Sequence, residues 1–352
     1  MPPSQLTLSV LDIGPIRSNQ TASDCVASMV GLAQRAEELS FYRYWLAEHH
    51  NVAGVVASQT AVLASTIGAN TRRIRIGGCV LLPHYSPFLV AEQMALLEAC
   101  HPGRVDLGVG RSAGTDPVTS SFLRGDSAGG ATDHPDRLSA LVSLIQPDGV
   151  KLELGGQDYR LKAAPNAILA PPVWVLGTSL YSARLAARLG LPYAFGYHIS
   201  GEGVDEALRT YRREFRPSLY CAEPKTLLSA IVVVGDTKEE SERLARSQLY
   251  SMSAFRSGEP VGPQMLVEEA EETEFPGRYD RLVAQFRRTW IIGDARDAAQ
   301  QIAALSDRLG LSEVMINPVA AAYRSDPPDR APNREQTIAA LAREFGASVV
   351  VG

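Results

Sequence analysis

Eight short apolar runs, each followed by sequence of helical period, predict that this 352-residue chain closes into a (β/α)8 barrel. Two further observations agree. Hydrophobic residues make up 45% of the chain, enough for a core of that size and too many for wholesale disorder. Stretches rich in Gly, Ser, Thr or charge interrupt the alternation, which places insertions after the fourth and seventh strands. With no repeat, low-complexity tail or composition break, residues 1–352 read as one domain.

The strands follow in order, each rich in β-branched or aromatic residues and bounded by Gly, Pro or charge. LSVLDI (8–13) is the first, and a helix from Asp24 to Leu39 follows with Val26, Met29, Val30, Ala33, Ala36 and Leu39 on one face. YRYWLA (42–47) is the second and IRIGGCVLL (74–82) the third, with Pro87 opening a helix that runs to Ala99. RVDLGVG (104–110) is the fourth, and residues 111–132 then form the first insertion. Residues 151–166, containing KLELGGQDYRL, read as a small hairpin ahead of the fifth strand, PVWVLG (172–177). The helix after it, Ser182 to Gly190, ends in a glycine suited to a left-handed cap. PYAFGY (192–197) and LLSAIVVVG (227–235) are the sixth and seventh strands, and 254–288 is the second insertion. A helix from Ala295 to Leu309, the eighth strand EVMINPV (313–319), a Pro-rich connector (324–335) and a helix from Gln336 to Phe345 complete the chain. Loops that follow barrel strands lie at the catalytic face, so both insertions are expected to wall or cover a pocket, although 254–288 reads equally well as plain surface.

Charge and cysteine usage narrow the function classes. A net charge of −5 gives no basic footprint for nucleic acid or anionic membrane. Cys25, Cys79, Cys100 and Cys221 are scattered without a CxxC pair, as reduced thiols of a cytoplasmic protein would be. The opening MPPSQLTLSVLDIG lacks the charged-then-apolar pattern of a signal peptide, and no run approaches the roughly 18 apolar residues that span a bilayer.

Chemistry-bearing residues gather where strands end. The second strand runs into Glu48-His49-His50, an acid and two imidazoles able to move a proton near neutral pH. Neighbours on an extended chain face opposite ways, so the three do not converge on one ion and metal ligation ranks lowest. A structural role is expected for one of the two histidines. The fourth strand ends in Gly108-Val109-Gly110-Arg111, where glycine admits close approach of a ligand and arginine supplies a fork of donors. The fifth delivers Gly177-Thr178-Ser179 and then Ser182 into a helix start, whose free N–H groups and hydroxyls suit an anion. Ser179 alone reads as an ordinary N-cap; with Arg111 it favours a phosphate-bearing cofactor. Tyr85, Phe122, Phe195, Tyr197 and Trp290 are candidate pocket aromatics, each equally at home in a core.

AEHHN after the second strand, LPHYSP after the third, HPGRVDLGVGR through the fourth and GTSLYSARLAARLGLP after the fifth together resemble the luciferase-like monooxygenases. The resemblance covers most of residues 6–200, and IIGDARDAAQQIAAL…EVMI is similar to the family's C-terminal part. It implies a TIM barrel that takes reduced FMN from a separate flavin reductase and oxygenates a small organic substrate with O2 through a peroxyflavin. His49 takes the position of the family's catalytic histidine, and Arg111, Ser179 and Ser182 those of its phosphate-binding residues. Gly110 stands against the flavin ring where the luciferase α subunit has cysteine. A non-proline cis peptide that supports the ring falls at Gly78-Cys79, although this chain is one residue shorter there than many relatives. No GxGxxG follows the first strand, so a tightly bound pyridine nucleotide is not expected. The family also implies a homodimer, and the overall look is closest to members beside secondary-metabolite pathways, with an aromatic polyketide-like acceptor. Two alternatives stay open: a deazaflavin-dependent hydride-transfer enzyme, and a barrel that binds flavin without turnover.

Overall fold

Eight parallel strands close on themselves in this computed structural model, which describes residues 6–112, 114–124, 133–165 and 169–346. Strands β1 (Thr7–Asp12), β2 (Arg43–Leu46), β3 (Arg75–Leu81) and β4 (Val105–Gly110) lie side by side in chain order. A hairpin, β5 (Val150–Leu154) with β6 (Gln157–Leu161), interrupts the chain and stands outside the barrel. The barrel resumes with β7 (Val173–Gly177), β8 (Tyr193–Phe195), β9 (Thr226–Val234) and β11 (Glu313–Pro318), and the pairing of β11 with β1 closes it. One short strand, β10 (Ile291–Gly293), pairs with the last three residues of β9 beyond the closed ring.

Helices pack outside: α1 (Ala22–Glu38), α2 (Thr60–Ala69), α3 (Pro87–Cys100), α4 (Pro117–Arg124), α5 (His134–Leu144), α6 (Leu180–Leu189), α7 (Val204–Glu214), α8 (Lys238–Arg256), α9 (Val267–Glu272), α10 (Asp280–Phe286), α11 (Ala295–Leu309) and α12 (Pro332–Glu344). The predicted strands and helices are all present within a few residues. The 254–288 segment is largely helical, holding the end of α8, all of α9 and α10 and a 3-10 turn at Gly277–Tyr279. Of the 111–132 insertion, residues 113 and 125–132 lie outside the described residues, and α4 occupies the middle.

Alternation along each strand divides two cores. Outward residues such as Val105, Leu107 and Val109 join the helices in one large cluster. Leu11, Trp45, Ala47, Trp174, Ala194, Leu227 and Met315 form a separate cluster that fills the barrel interior, with Trp45 edge-on to Trp174 at 5.7 Å. At the strands' starting end, the interior is plugged by charge. Arg43 bridges Asp106 (2.6 Å) and Glu313 (2.7 Å), Arg75 reaches Asp106 (2.6 Å), and Ser9 donates to Glu313 (2.6 Å). Asp106 is fully buried and also accepts from Trp45 Nε1 at 3.1 Å, so its carboxylate has a donor for each oxygen. The barrel thus has a sealed floor, and the mouth at the opposite end is framed by the loops that follow the strands.

Candidate active site

The row of side chains that rises from Trp45 through Ala47 reaches His49 at the mouth. Its backbone N–H donates to the Ala57 carbonyl (2.9 Å), fixing the strand's extension, while its Nδ1 is buried with no hydrogen-bond partner among the described residues. Burial pushes the His49 pKa below the ordinary value, and His50 nearby adds to the shift. A neutral imidazole with a spare nitrogen is a competent proton acceptor.

Glu48 and His50 face the other way, and there they meet. His50 Nε2 lies 2.6 Å from Glu48 Oε1, Tyr85 Oη donates to the same oxygen (2.9 Å), and the Leu81 N–H donates to Oε2 at 3.2 Å. This knot ties the end of β2 to the end of β3. Thr115 Oγ1 donates to the His50 carbonyl (2.7 Å), and the Asn51 amide donates to Thr119 Oγ1 at 2.9 Å, so the loop after β4 is fastened to the same corner. The two-residue spacing of Glu48 and His50 carried that pairing, and it leaves His49 alone on the interior side.

The wall between β2 and β7 is built from small side chains. Gly77 and Gly108 stand in interior positions: a Cβ on Gly77 would meet Trp45 Nε1 at 2.9 Å, and one on Gly108 would meet Leu176 at 3.0 Å. Cys79 lies above Gly77, its thiol pushed up to about 12 by burial and then by Glu48, so it stays protonated. Gly78 faces outward, where a Cβ would fall 2.5 Å from Thr60. The expected cis peptide at Gly78–Cys79 is absent; among the described residues the cis bond is Ala164–Pro165. The reason is the ladder: Gly78 is in register with Leu46 and Leu107, and Cys79 with Gly108, and an unbroken trans chain satisfies both neighbours. Gly78 and Cys79 accordingly serve the wall, and only Cys79 faces the chamber.

Arg111 and the start of α6 come together from separate strand ends. The Arg111 guanidinium lies 4.4 Å over the Tyr181 ring, exposed and with no carboxylate partner among the described residues. Ser179 caps α6 reciprocally with Ser182, each side chain reaching the other's backbone N–H at 3.4 Å. Ser182 Oγ is further engaged by the Ser179 carbonyl (2.8 Å) and Tyr193 Oη (3.1 Å), so Ser182 holds the turn while Ser179 stays exposed at the surface. Gly177 is required by this turn, since a Cβ would fall 2.2 Å from Ser182 Oγ. Thr178 is half-buried between Gly177 and Ser179, its methyl against the Gly196 backbone. Gly110 leaves its neighbours free, the nearest atom to a Cβ being Leu81 Cδ2 at 3.4 Å.

The aromatic candidates divide. Tyr85 sits in the Glu48–His50 knot, and Tyr197 is half-buried near the mouth. Phe195 is fully buried on the outer face of β8, and Trp290 stacks on Phe286 (5.2 Å) in a core between α8, α10 and β10. Those two are corrected to packing residues, because a three-residue strand such as β8 and a loop end such as 287–290 give no period to read. Phe122 on α4 is exposed at 84% among the described residues. Sequence reasoning missed His198, the residue immediately after the sixth run as read, whose Nδ1 lies 2.6 Å from Ser229 Oγ. The available signal was an imidazole just beyond a strand end on the loop-bearing face. A polar cavity of about 390 Å³ elsewhere, lined by Asp236, Asp294, Arg296, Gln336 and Arg343 among others, contains none of the predicted site residues. The chemistry is concentrated at the mouth instead.

A parallel barrel with an imidazole at its C-terminal mouth, and there an arginine that has no carboxylate partner among the described residues, defines an α/β-barrel enzyme scaffold. Residues 8–313 match the family model for luciferase-like monooxygenases, and the chain belongs to that family. It is 33% identical over 315 residues to the N-acetyl-S-alkylcysteine monooxygenase of Bacillus subtilis (strain 168), covering 88% of this chain and 92% of that one. The crystal structure of apo-MsnO8 superposes with a TM-score of 0.85 at 27% identity, covering 99% of this chain and 100% of that one. Two neighbours share the fold at lower identity. They are the FMN-bound oxygenating constituent of 3,6-diketocamphane monooxygenase from Pseudomonas putida (16%, TM-score 0.70, 99% of this chain and 100% of that one) and an F420-dependent secondary alcohol dehydrogenase (14%, TM-score 0.63, 96% and 99%).

Proposed function

We propose that this chain is a flavin-dependent monooxygenase that takes reduced FMN from a separate flavin reductase and uses O2 to oxygenate a small organic substrate in secondary metabolism. The observation that carries the reading is the convergence of Arg111 and the N-terminus of α6, two strand ends apart in the chain, beside a chamber into which His49 points. Three features fit FMN: a guanidinium without a carboxylate partner among the described residues next to a helix N-terminus for one phosphate, the uncrowded Gly110 at the end of β4 beside the wall that holds Cys79, and a His49 Nδ1 with no hydrogen-bond partner among the described residues. Arg111, Ser179 and the backbone N–H groups of Leu180 and Tyr181 would hold the phosphate, with Gly177, Thr178 and Ser182 shaping the turn. Gly110 and Cys79 would border the ring, with Gly78 behind them in the wall.

Bound reduced FMN supplies the electrons that activate O2. The chain's part is to bind, orient and keep dry. The charged floor and the Trp45–Trp174 layer close the chamber below, so water enters only from the mouth. His49, neutral near pH 7, takes or returns a proton through Nδ1, and the Glu48–His50–Tyr85 knot fixes the strand end that carries it. The described residues include no helix long and apolar enough to cross a membrane; a cytoplasmic location is part of the proposal. Val62 on α2 and Leu89 and Leu96 on α3 are more than half exposed and supply an apolar face for the homodimer.

Anaerobic titration with reduced FMN, FAD and reduced F420, followed by O2 uptake, tests the reading. Tight binding of reduced FMN with O2 consumption supports it. Preference for F420 without O2 uptake would make the chain a hydride-transfer enzyme, and flavin binding without turnover a carrier.

A further inference from the structure

The chamber holds a second imidazole. His198 lies on the loop leaving β8, and its backbone N–H donates to the Ser229 carbonyl at 2.8 Å. Its Nδ1 is 2.6 Å from Ser229 Oγ. Ser229 is 5% exposed and occupies the interior row of β9 above Leu227, which belongs to the barrel-filling cluster. Ring and backbone of His198 are thus both pinned to one residue of the neighbouring strand.

That pinning selects a tautomer. The Ser229 hydroxyl has two acceptors in reach, His198 Nδ1 at 2.6 Å and the Phe195 carbonyl at 3.5 Å. The carbonyl is at the limit of a hydrogen bond and already accepts the Tyr197 N–H at 3.0 Å. The shorter contact favours donation from the hydroxyl to Nδ1, and that arrangement leaves the proton of the neutral ring on Nε2. Nε2 has no partner among the described residues, and the ring, though set deep, is only partly covered. Burial lowers its pKa to about 4, and His49 adds to the shift, so the two imidazoles are near enough for charge on one to oppose charge on the other. The chamber then offers an N–H donor from His198 and an orphaned nitrogen from His49.

We propose that His198, held by Ser229 as the Nε2–H tautomer, donates to a carbonyl or phenol oxygen of the organic substrate, with Ser229 as its positioning residue. This rests on the flavin reading for what happens next to that oxygen, and it is tested without turnover. In the protein free of flavin, 15N spectra of the histidine rings report the tautomer, and 4-nitrophenol serves as the phenol probe. A single Nε2–H form in the wild type that becomes a mixture in Ser229→Ala is expected. His198→Phe should weaken 4-nitrophenol binding by about tenfold, the effect of one neutral hydrogen bond, and His198→Gln should restore most of it. An Nδ1–H form in the wild type overturns the proposal, as does equal nitrophenol affinity in the wild type and His198→Phe. Absence of nitrophenol binding to the wild type overturns it too. Should His198→Phe fail to fold, the tautomer comparison still decides. A wild type that ignores reduced FMN sinks the flavin reading and leaves these results standing.

Discussion

At the scale of single residues, the two adjacent histidines have opposite surroundings, and their substitutions should part accordingly. His49→Ala removes a buried imidazole whose Nδ1 has no hydrogen-bond partner among the described residues. Substrate oxygenation should fall by about 10²–10⁴-fold, with melting temperature and FMN affinity kept and reduced flavin spent mainly on peroxide. Early melting with wild-type oxygenation in the cold would make His49 structural. His50→Ala strips Glu48 of its 2.6 Å partner, leaving it Tyr85 and the Leu81 N–H, and should cost stability, about 1–3 kcal/mol for one hydrogen bond to a buried carboxyl, read by urea unfolding. Arg111→Ala should weaken FMN binding by about 1.5–3 kcal/mol, the range for a hydrogen bond to a charged group, without lowering the melting temperature, because the guanidinium is exposed. An unchanged dissociation constant would move the phosphate elsewhere. These pairings were partly legible in the sequence: strand alternation separates His49 from Glu48 and His50. His198 was not, because its importance comes from Ser229, 31 positions away on another strand.

At the scale of elements, the glycines at two strand ends do different work. Gly177→Ala puts a Cβ 2.2 Å from Ser182 Oγ and must push α6 off its strand. We expect a loss of about 1–3 kcal/mol in unfolding free energy together with weakened FMN binding. Gly110→Ala meets only Leu81 Cδ2 at 3.4 Å, so the fold should tolerate it, and any loss of flavin affinity then reports contact with the ring. Equal melting temperatures for the two variants would refute this contrast. The eight barrel strands were legible as apolar runs bounded by Gly, Pro or charge, even where a strand as short as β8 carries no period, and the Pro87 and Gly190 signals marked helix ends where α3 and α6 begin and finish. β10 was not legible: three residues, Ile291–Gly293, carry no period, and only the free edge of β9 makes them a strand. The helices within 254–288 are six and seven residues long, too short for an apolar face to repeat.

At the scale of the whole molecule, stability should be sensitive to mild acid. His49, His101, His134 and His198, four of the six histidines, have their folded pKa lowered, burial being the largest cause in each. An unfolded imidazole titrates near about 6.5, so between that value and the folded pKa the unfolded chain binds more protons. Their contribution is therefore present above about pH 6.5 and lost as pH falls toward 4. Urea midpoints should drop from pH 7.5 to 5, and His198→Gln should shrink the drop; a flat profile would contradict the burial of these rings. The floor makes a second demand. Asp106→Ala leaves Arg43 without one of its two partners and Arg75 without its carboxylate in the barrel base, and should cost about 3–5 kcal/mol.

That same floor sets the order of events. A vessel with one opening cannot load from below, so whatever sits deepest must arrive first and depart last. If the isoalloxazine occupies the space beside Gly108 and Cys79, the organic substrate queues above it, and late-coming flavin finds the door blocked. Excess substrate should then slow flavin exchange while leaving the flavin's affinity for an empty chamber untouched. On that reading the chain would hold a flavin captive through each turnover, and a flavin reductase would have to deliver before the substrate does.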